Sequence, residues 1–310
     1  MLARVFAVSL NTYREAVRAR ILHGLFALAL ATAGYALVVG AYASRSRMRV
    51  VSDLGAASIS LYAVIVAIVL GATSLYRELE LKTIFPILAR PLRRSEYLAG
   101  KLAGTVLTLA VFIAANSGAL LLALALLSGR SPLLVGGLLA GFVTLAGVLA
   151  WRLPRWRTYL PILLSIGLCV AGFALSGGAS DDRRVIAGSA LLTLCEVVVI
   201  ASIATLFSSF SSPFLTAVFT LAVFVVGRSA DSLAKLPKRV FGEAIHEIGV
   251  WLGKIVPNLM LYVPPRPLLT GEAAGSDLPR YLLLAFGHAA AWSLVLLAVA
   301  SVVFKRRDFL

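Results

Sequence analysis

Long apolar runs, separated by short polar stretches, dominate the pattern of this chain. A helix that crosses the hydrocarbon of a membrane needs about 20 mostly apolar residues, because its backbone polar groups must be satisfied within the segment. The pattern therefore predicts an all-α, polytopic membrane helical bundle with eight spans. These lie near residues 21–42, 57–75, 102–127, 133–151, 158–176, 185–207, 214–229 and 281–304.

The fourth and fifth runs, within an inserted hairpin at 130–180, allow two interpretations. They are joined by "RLPRWR", in which three arginines and a proline fill six positions. This stretch is either a loop between two spans or the tip of a re-entrant hairpin. Either alternative leaves the orientation of the later spans unchanged, because the hairpin adds or removes spans as a pair.

Residues 1–20 predict an amphipathic helix that lies in the membrane surface. Four arginines and a glutamate precede the first long apolar run, which is not the pattern of a cleavable signal peptide. The apolar face holds Leu2, Val5, Phe6, Ser9, Leu10, Tyr13, Ala16 and Val17, and Arg4, Asn11, Arg14 and Arg18 lie opposite.

A second amphipathic helix is predicted from Phe241 to Ile255, within the long segment 229–280. We expect it to rest on the outer leaflet or to cap the bundle. The stretch "PNLMLYVPPRPLL" that follows carries four prolines, which exclude a regular helix and predict a structured or mobile outer loop. The helix has apolar Ala244, Ile245, Ile248, Trp251, Leu252 and Ile255 on one side and polar Glu243, His246, Glu247 and Lys254 on the other.

Composition and charge fit this assignment. Hydrophobic residues make up 60% of the 310 positions and charged residues 14%, far below the share in a soluble domain. The formal charge of +15 lies in short clusters at the ends of apolar runs, which indicates topology and contact with anionic lipids rather than nucleic acid.

The distribution of lysine and arginine predicts that both termini are cytoplasmic, in the cytoplasmic (inner) membrane. Segments placed inside by this orientation hold 16 basic residues, and the short outer loops hold six. The three arginines of "SRSRMR" lie on the outer side against this rule, and nothing in the sequence explains them.

Motifs for catalysis, nucleotide binding and metal binding are missing from the sequence. "GKLAGT" lacks the glycine-rich turn and the hydroxyl after the lysine that grip a phosphate, and "HEIGV" has Val250 where a zinc helix has its second histidine. The three histidines are scattered, and Cys169 and Cys195 lie in apolar runs without metal spacing. We therefore expect no enzyme activity, metal or cofactor in this chain.

Three polar residues inside spans are candidates for a transport pathway or for helix packing. Glu196 lies in the middle of "LLTLCEVVVIASIA", where a carboxylate is costly. It is either a pathway or gating group, or a protonated or hydrogen-bonded glutamate that ties two helices together. Asn116 and His288 either line a pathway or form hydrogen bonds between helices.

The charged, proline-broken segment 76–101 follows the second run. It predicts two short helices around a break at Pro86 and Pro91, with Glu78 and Lys82 spaced one turn apart on the first. It is too short for a domain and too highly charged for a plain turn. We infer that something outside the membrane grips it.

This segment resembles the loop between the second and third spans of the permease subunits of type-2 ATP-binding-cassette (ABC) exporters. The turn "FSSFSSP", the ending "VVFKRRDFL" and the amphipathic N-terminus, which is similar to an elbow helix, resemble the same family. The family pattern has six spans, so the hairpin at 130–180 is an apparent insertion. The order that carries the resemblance is Glu78, Glu80, Thr83, Pro91, Arg94, Glu96, Tyr97, Leu98, Gly100 and Lys101.

The resemblance implies a permease that pairs with a second copy or a paralogue and with two cytoplasmic ATPase subunits, which would hold ATP and Mg²⁺. Its cargo would be unidentified, with lipid-like or amphipathic molecules favoured by the apolar spans. The implied ATPase-coupling residues are Glu78, Glu80, Lys82, Thr83, Arg90, Arg93, Arg94 and Glu96, with Ser208, Ser209, Ser211 and Ser212 as a second contact.

Other classes of function remain open at this point. One is an ABC-type subunit that passes ATP-driven motion to an extracytoplasmic partner through residues 229–280. Another is a secondary transporter driven by an ion gradient, which would need inverted repeats and paired intramembrane charges. A membrane-embedded enzyme would need several catalytic groups at one depth.

Overall fold

The computed structural model describes residues 2–43, 46–80, 93–235, 243–272 and 277–305. Within these ranges the regular secondary structure is helical and contains no strand. The long helices are α1 (Leu2–Arg18), α2 (Arg20–Tyr42), α3 (Arg47–Glu80), α4 (Arg94–Leu127), α5 (Pro132–Arg152), α6 (Leu160–Leu175), α7 (Ser180–Ser208), α8 (Pro213–Arg228) and α12 (Leu278–Lys305). The helices of the long segment are α9 (Ala230–Ala234), α10 (Glu243–Ile255) and α11 (Arg266–Thr270).

All eight predicted runs are helical, and seven of the described helices are long and apolar enough to cross a membrane. They are α2 to α7 and α12, with α6 extended by the 3₁₀ turn Ser176–Gly178. Helix α8 has 16 residues, or about 24 Å of rise, which is shorter than a hydrocarbon core of about 30 Å. The chain has the character of a multi-pass membrane protein.

Helices α3, α4 and α7 form the centre of the bundle. Small residues bring their backbones together: a side chain at Gly71 of α3 would lie 2.4 Å from Cβ of Ala204 in α7, and one at Gly55 would meet Leu120 of α4. Close approach of this kind is how membrane helices gain packing energy where lipid removes the hydrophobic driving force.

The hairpin at 130–180 contains two separate helices, α5 and α6, and both α5 and the segment made of α6 and its 3₁₀ turn are long enough to span. Helix α6 is locked onto α4, because a Cβ on Gly118 would lie 2.7 Å from the backbone nitrogen of Cys169, and one on Gly172 2.8 Å from the Gly118 carbonyl. Helix α5 is peripheral, and Val135 near its start is its one buried residue. The two halves of the hairpin therefore differ in how firmly they join the bundle.

Helix α1 is confirmed as a helix, and part of its apolar face packs on protein. Tyr13 and Ala16 are buried, whereas Leu2 and Phe6 are exposed. The contact uses Gly100 and Gly104 of α4: a Cβ on Gly104 would lie 2.5 Å from the Ser9 carbonyl. The stretch "GKLAG", which fails as a phosphate loop, is thus the surface that seats α1.

The connections gather at two ends of the bundle. One, which we call the α1 end, brings Ser74, Lys101 and Ser208 around one small pocket and stacks Tyr13 on Tyr159. The other, which we call the loop end, joins Ser52 and Asp182 to Arg266. Loops that the topology prediction assigns to one side of the membrane therefore lie at one end.

The segment 243–272 forms an ordered structure at the loop end. Helix α10 confirms the predicted amphipathic helix. The prediction that the proline-rich stretch contains no regular helix is wrong at α11, where Pro267 occupies the first turn and a missing N–H costs nothing. Leu259, Tyr262 and Leu269 are buried against the bundle, so this stretch caps it.

Candidate functional site

A polar cavity of about 680 Å³ opens at the loop end of the bundle. Helices α3, α7 and α8 form its walls, and the stretch 260–269 covers it. Its lining mixes apolar side chains with hydroxyls and charges. The polar and charged residues are Asp53, Ser60, Ser189, Thr193, Arg228, Tyr262 and Arg266.

Glu196 and Arg228 form an ion pair beside this cavity. Arg228 Nε donates to Glu196 Oε1 at 2.7 Å, and its terminal nitrogen donates to Oε2 at 2.9 Å. The Glu196 side chain is fully buried, and that of Arg228 is 26% exposed towards the cavity. Two parallel N–H···O bonds of this kind are the strongest arrangement available to an arginine and a carboxylate.

The surroundings of the pair explain how charged groups are tolerated at this depth. Ser60 of α3 donates to Glu196 Oε2 at 3.4 Å and accepts from Arg228 at 3.3 Å, and the guanidinium lies 5.5 Å from the Phe224 ring centroid. Arg228 also ends α8, where the helix dipole favours a cation. Three helices, α3, α7 and α8, are tied together at one point.

Arg266 forms a second charged cluster at the mouth of the cavity. Its guanidinium donates to the carboxylates of Asp53 in α3 and Asp182 in α7, and to Ser52 Oγ at 3.2 Å. Burial lowers the pKa of Arg266, but the hydrogen bonds and charges of Asp182 and Asp53 outweigh burial and raise that pKa above its ordinary value. The arginine therefore holds the covering stretch onto two helices of the bundle.

Tyr262 links the covering stretch to α12. Its hydroxyl lies 2.9 Å from Nδ1 of His288, and the His288 ring packs against Trp292 at 6.4 Å. Burial raises the pKa of the Tyr262 phenol, with Cys195 and Glu196 as further causes. The phenol therefore remains protonated and keeps its hydrogen-bonding role.

The three candidate pathway residues have different surroundings. Glu196 ties helices together, as one of its two interpretations proposes, and its partner lines a cavity, which keeps the other open. His288 hydrogen-bonds across to Tyr262 rather than lining the cavity. Asn116 donates to the Phe112 carbonyl of its own helix, and its Oδ1 has no partner among the described residues.

Arg94 and Glu96, predicted to contact an ATPase, have contacts within the chain. Arg94 donates at 2.9 Å to the carbonyls of Phe304 and Lys305, which caps the end of α12. Glu96 is buried, accepts a hydrogen bond from the Arg93 backbone N–H at 3.2 Å and lies 3.9 Å from Arg4. Both residues thus fix the start of α4 against its neighbours.

The hydroxyls of the serine-rich turn hydrogen-bond to backbone groups at the end of α7 and the start of α8. Ser208, Ser209 and Ser211 donate to carbonyls in the last turns of α7. Ser212 accepts from the Leu215 N–H at 3.5 Å and caps the start of α8. The structure gives these hydroxyls a local structural role.

The remaining coupling residues are only partly described. Arg93 is exposed just before α4. Glu78 and Glu80 lie in the last turn of α3, of which only the backbone is described. Lys82, Thr83 and Arg90 lie outside the described residues. Their predicted contact with an ATPase stays a prediction.

No family model matches the chain, and no curated protein matches it. Within the described residues, no group of three histidine, cysteine, aspartate or glutamate side chains could hold a metal ion.

Sequence reasoning missed the partner of Glu196 although a signal existed. Helices α7 and α8 are antiparallel around the short turn 209–212. Glu196 lies 12 residues before Ser208 and Arg228 lies 15 residues after Pro213, which places them about 18 Å and 22 Å from the turn. A buried carboxylate demands a partner, and the arginine at matching depth was the candidate.

Proposed function

We propose that this chain is the permease subunit of an ABC exporter, with ATP hydrolysis in separate ATPase subunits. The motif order in segment 76–101 carries the proposal, and the lengths of the flanking helices support it. Helices α3 and α4 each have 34 residues, or about 51 Å, well beyond a hydrocarbon core of about 30 Å. In this proposal the excess length lies at the α1 end, where the charged segment follows α3 and precedes α4 in the sequence.

The packing at the α1 end would let a movement of the charged segment pass to several helices at once. Lys101 of α4 donates to the carbonyl and the hydroxyl of Ser74 in α3, the latter at 3.0 Å. Arg94 ties the start of α4 to the end of α12, and the glycine contact seats α1 on the same helix. A push on residues 81–93 would reach α1, α3, α4 and α12 together.

In this proposal the α1 end faces the cytoplasm and a second copy or a paralogue completes the permease. A lipid-like or amphipathic cargo fits the apolar character of the spans. The polar cavity at the loop end would then open on the extracytoplasmic side, where cargo leaves.

A second candidate is an ABC-type subunit that transmits motion to an extracytoplasmic partner. The observation that favours it is the ordered cap formed by 259–270, which Arg266 and Tyr262 attach to α3, α7 and α12. Movement of those three helices would be passed directly to this cap.

The experiment that tests the main proposal is affinity purification of the chain from its own membranes. We expect an ATP-hydrolysing subunit with a Walker motif to co-purify. Charge reversal of Arg90 and Arg93 to glutamate should abolish that association, because like charges at a docking groove repel. These positions are preferred to Arg94 and Glu96, which are used within the chain.

The matched control reverses two arginines at the loop end, Arg47→Glu and Arg130→Glu, and should retain the ATPase. Both double variants must elute as single species, so that a loss of fold is not read as a loss of docking. Retention of the ATPase by R90E/R93E, or its absence from the unsubstituted preparation, would contradict the proposal.

A further inference from the structure

A second cavity, of about 410 Å³, lies on the opposite flank of the bundle and has an almost wholly apolar lining. Its walls come from the end of α1, the start of α2, and α4, α5 and α6. On each of the last three helices the lining residues span eight positions, or about 10 Å of rise from first to last. Phe26, Phe112, Phe142, Val143, Leu164 and Leu168 are among the side chains that line this crevice.

The crevice exists because α5 is buried on the bundle only near its start. Near the loop end, Val135 and Leu138 pack with Leu122 and Ala125 of α4. Further along α5, the contact with α6 is made by the Phe142 ring beside Gly167, and Val143 is 70% exposed. Beyond Val135 no residue of α5 is buried, so the crevice is open on the side that α5 forms.

Arginines and aromatic rings surround that open end. Tyr13 of α1 stacks on Tyr159 at 6.4 Å between centroids, and Arg14 lies 4.9 Å from the same ring. Trp156 packs edge-on against Tyr159 at 6.0 Å. Aromatic side chains of this kind mark the interface between hydrocarbon and headgroups.

The turn between α5 and α6 presents its charges outward. Arg152, Arg155 and Arg157 are exposed, and no carboxylate among the described residues lies within ion-pair distance of them. Arg157 precedes the crevice residue Pro161 by four residues, and Arg14 precedes the crevice residue Val17 by three residues. Exposed guanidinium groups thus lie within a few residues of side chains that line the apolar slot.

We propose that this crevice and the adjoining arginines form a binding site for one anionic phospholipid. Arg14, Arg155 and Arg157 would hold the phosphate, for which a guanidinium supplies paired donors, and an acyl chain would fill the slot. A free phosphate or a soluble anion would leave the slot empty, and a neutral lipid would leave the arginines unmatched. The site is independent of any ATPase and stands whether or not the chain works as an exporter.

Native mass spectrometry of the full chain, released from nanodiscs of equal phosphatidylglycerol and phosphatidylcholine, tests this. We expect one phosphatidylglycerol to be retained in preference to phosphatidylcholine. The variant R155Q/R157Q should lower that preference by about tenfold, since each basic residue near a membrane surface adds to anionic lipid binding. Ala146→Phe, which fills the slot, should remove the retained lipid of either kind.

Matched controls exist at the other end of the bundle and on the same helix. R47Q/R130Q removes the same charge at the loop end, and Ala140→Phe places the same ring on an exposed face of α5; both should retain the lipid. Glycerol phosphate, which has the headgroup without the chain, should not displace it. Equal retention of the two lipids, unchanged preference in R155Q/R157Q, or displacement by glycerol phosphate would overturn the proposal.

Discussion

The two cavities of this bundle differ in what surrounds them. The polar cavity lies where α3, α7 and α8 meet under the covering stretch 259–270, and its arginines are matched by carboxylates from neighbouring helices. The apolar crevice lies between the core and the peripheral helix α5, open to lipid, with charges only outside its mouth.

The difference shows how one helical bundle accommodates charged groups, which need protein hydrogen bonds, and apolar surfaces, which lipid can solvate. Charges are kept at depth where protein on several sides supplies hydrogen bonds, because an unmatched charge in hydrocarbon is expensive. Where a helix stands away from the core, the gap is lined with side chains that lipid can solvate. Each cavity should therefore respond to a different kind of substitution.

The largest effect is expected at the buried pair of the polar cavity. Glu196→Gln leaves the Arg228 guanidinium without a countercharge and should lower the free energy of unfolding by about 3 kcal/mol. Reversible unfolding in mixed micelles measures this.

The double variant Glu196→Gln/Arg228→Gln is its control, because it removes both charges. It should be more stable than Glu196→Gln alone, which a double-mutant cycle quantifies. If the single variant unfolds like the unsubstituted chain, the pair does not hold the three helices together.

The helices could be predicted from the sequence because an apolar run consists of consecutive residues and needs no knowledge of contacts between distant ones. The same holds for α10, whose apolar residues repeat at helical spacing between two prolines. Whether a helix crosses the membrane was harder to predict when its length is near the minimum for a span. The run 214–229 has the composition of a span, but α8 is short for one.

The contacts of the candidate site could not be predicted in the same way. Asp53, Asp182 and Arg266 lie far apart in sequence and meet only because α3, α7 and α11 share one end of the bundle. Gly100 and Gly104 likewise read as part of a failed phosphate loop until α1 is seen on them. The motif order at 78–101 indicated an external partner, whereas Arg94 and Glu96 form internal contacts that only packing reveals.

A smaller effect is expected where α4 and α6, two helices of the apolar crevice, pack against each other. In Gly118→Ala the new methyl group would lie 2.7 Å from the Cys169 backbone nitrogen, so α6 must move away from α4. We expect a loss of about 2 kcal/mol, typical of an overpacked contact that backbone cannot relieve.

Gly141→Ala on α5 is the matched control for this change. Nothing lies within 4 Å of its new methyl group, and the helix gains propensity, so stability should be unchanged or rise by up to about 1 kcal/mol. Equal losses for the two variants would show that α6 is no more firmly packed than α5.

The smallest effect is expected at the mouth of the polar cavity. Arg266→Lys keeps the charge but loses the planar group that donates to Asp53 and Asp182 at once. Asp53 is half-exposed, so the loss should be only about 1 kcal/mol. Because the cap opens locally, amide hydrogen exchange in residues 259–270 should speed up by about fivefold without a change in global unfolding.

Arg49→Lys provides the comparison, since Arg49 is exposed and reaches Asp53 only at 3.8 Å. If both lysine variants exchange alike, Arg266 does not hold the cap over the cavity, and the cover must depend on the buried side chains of Leu259, Tyr262 and Leu269.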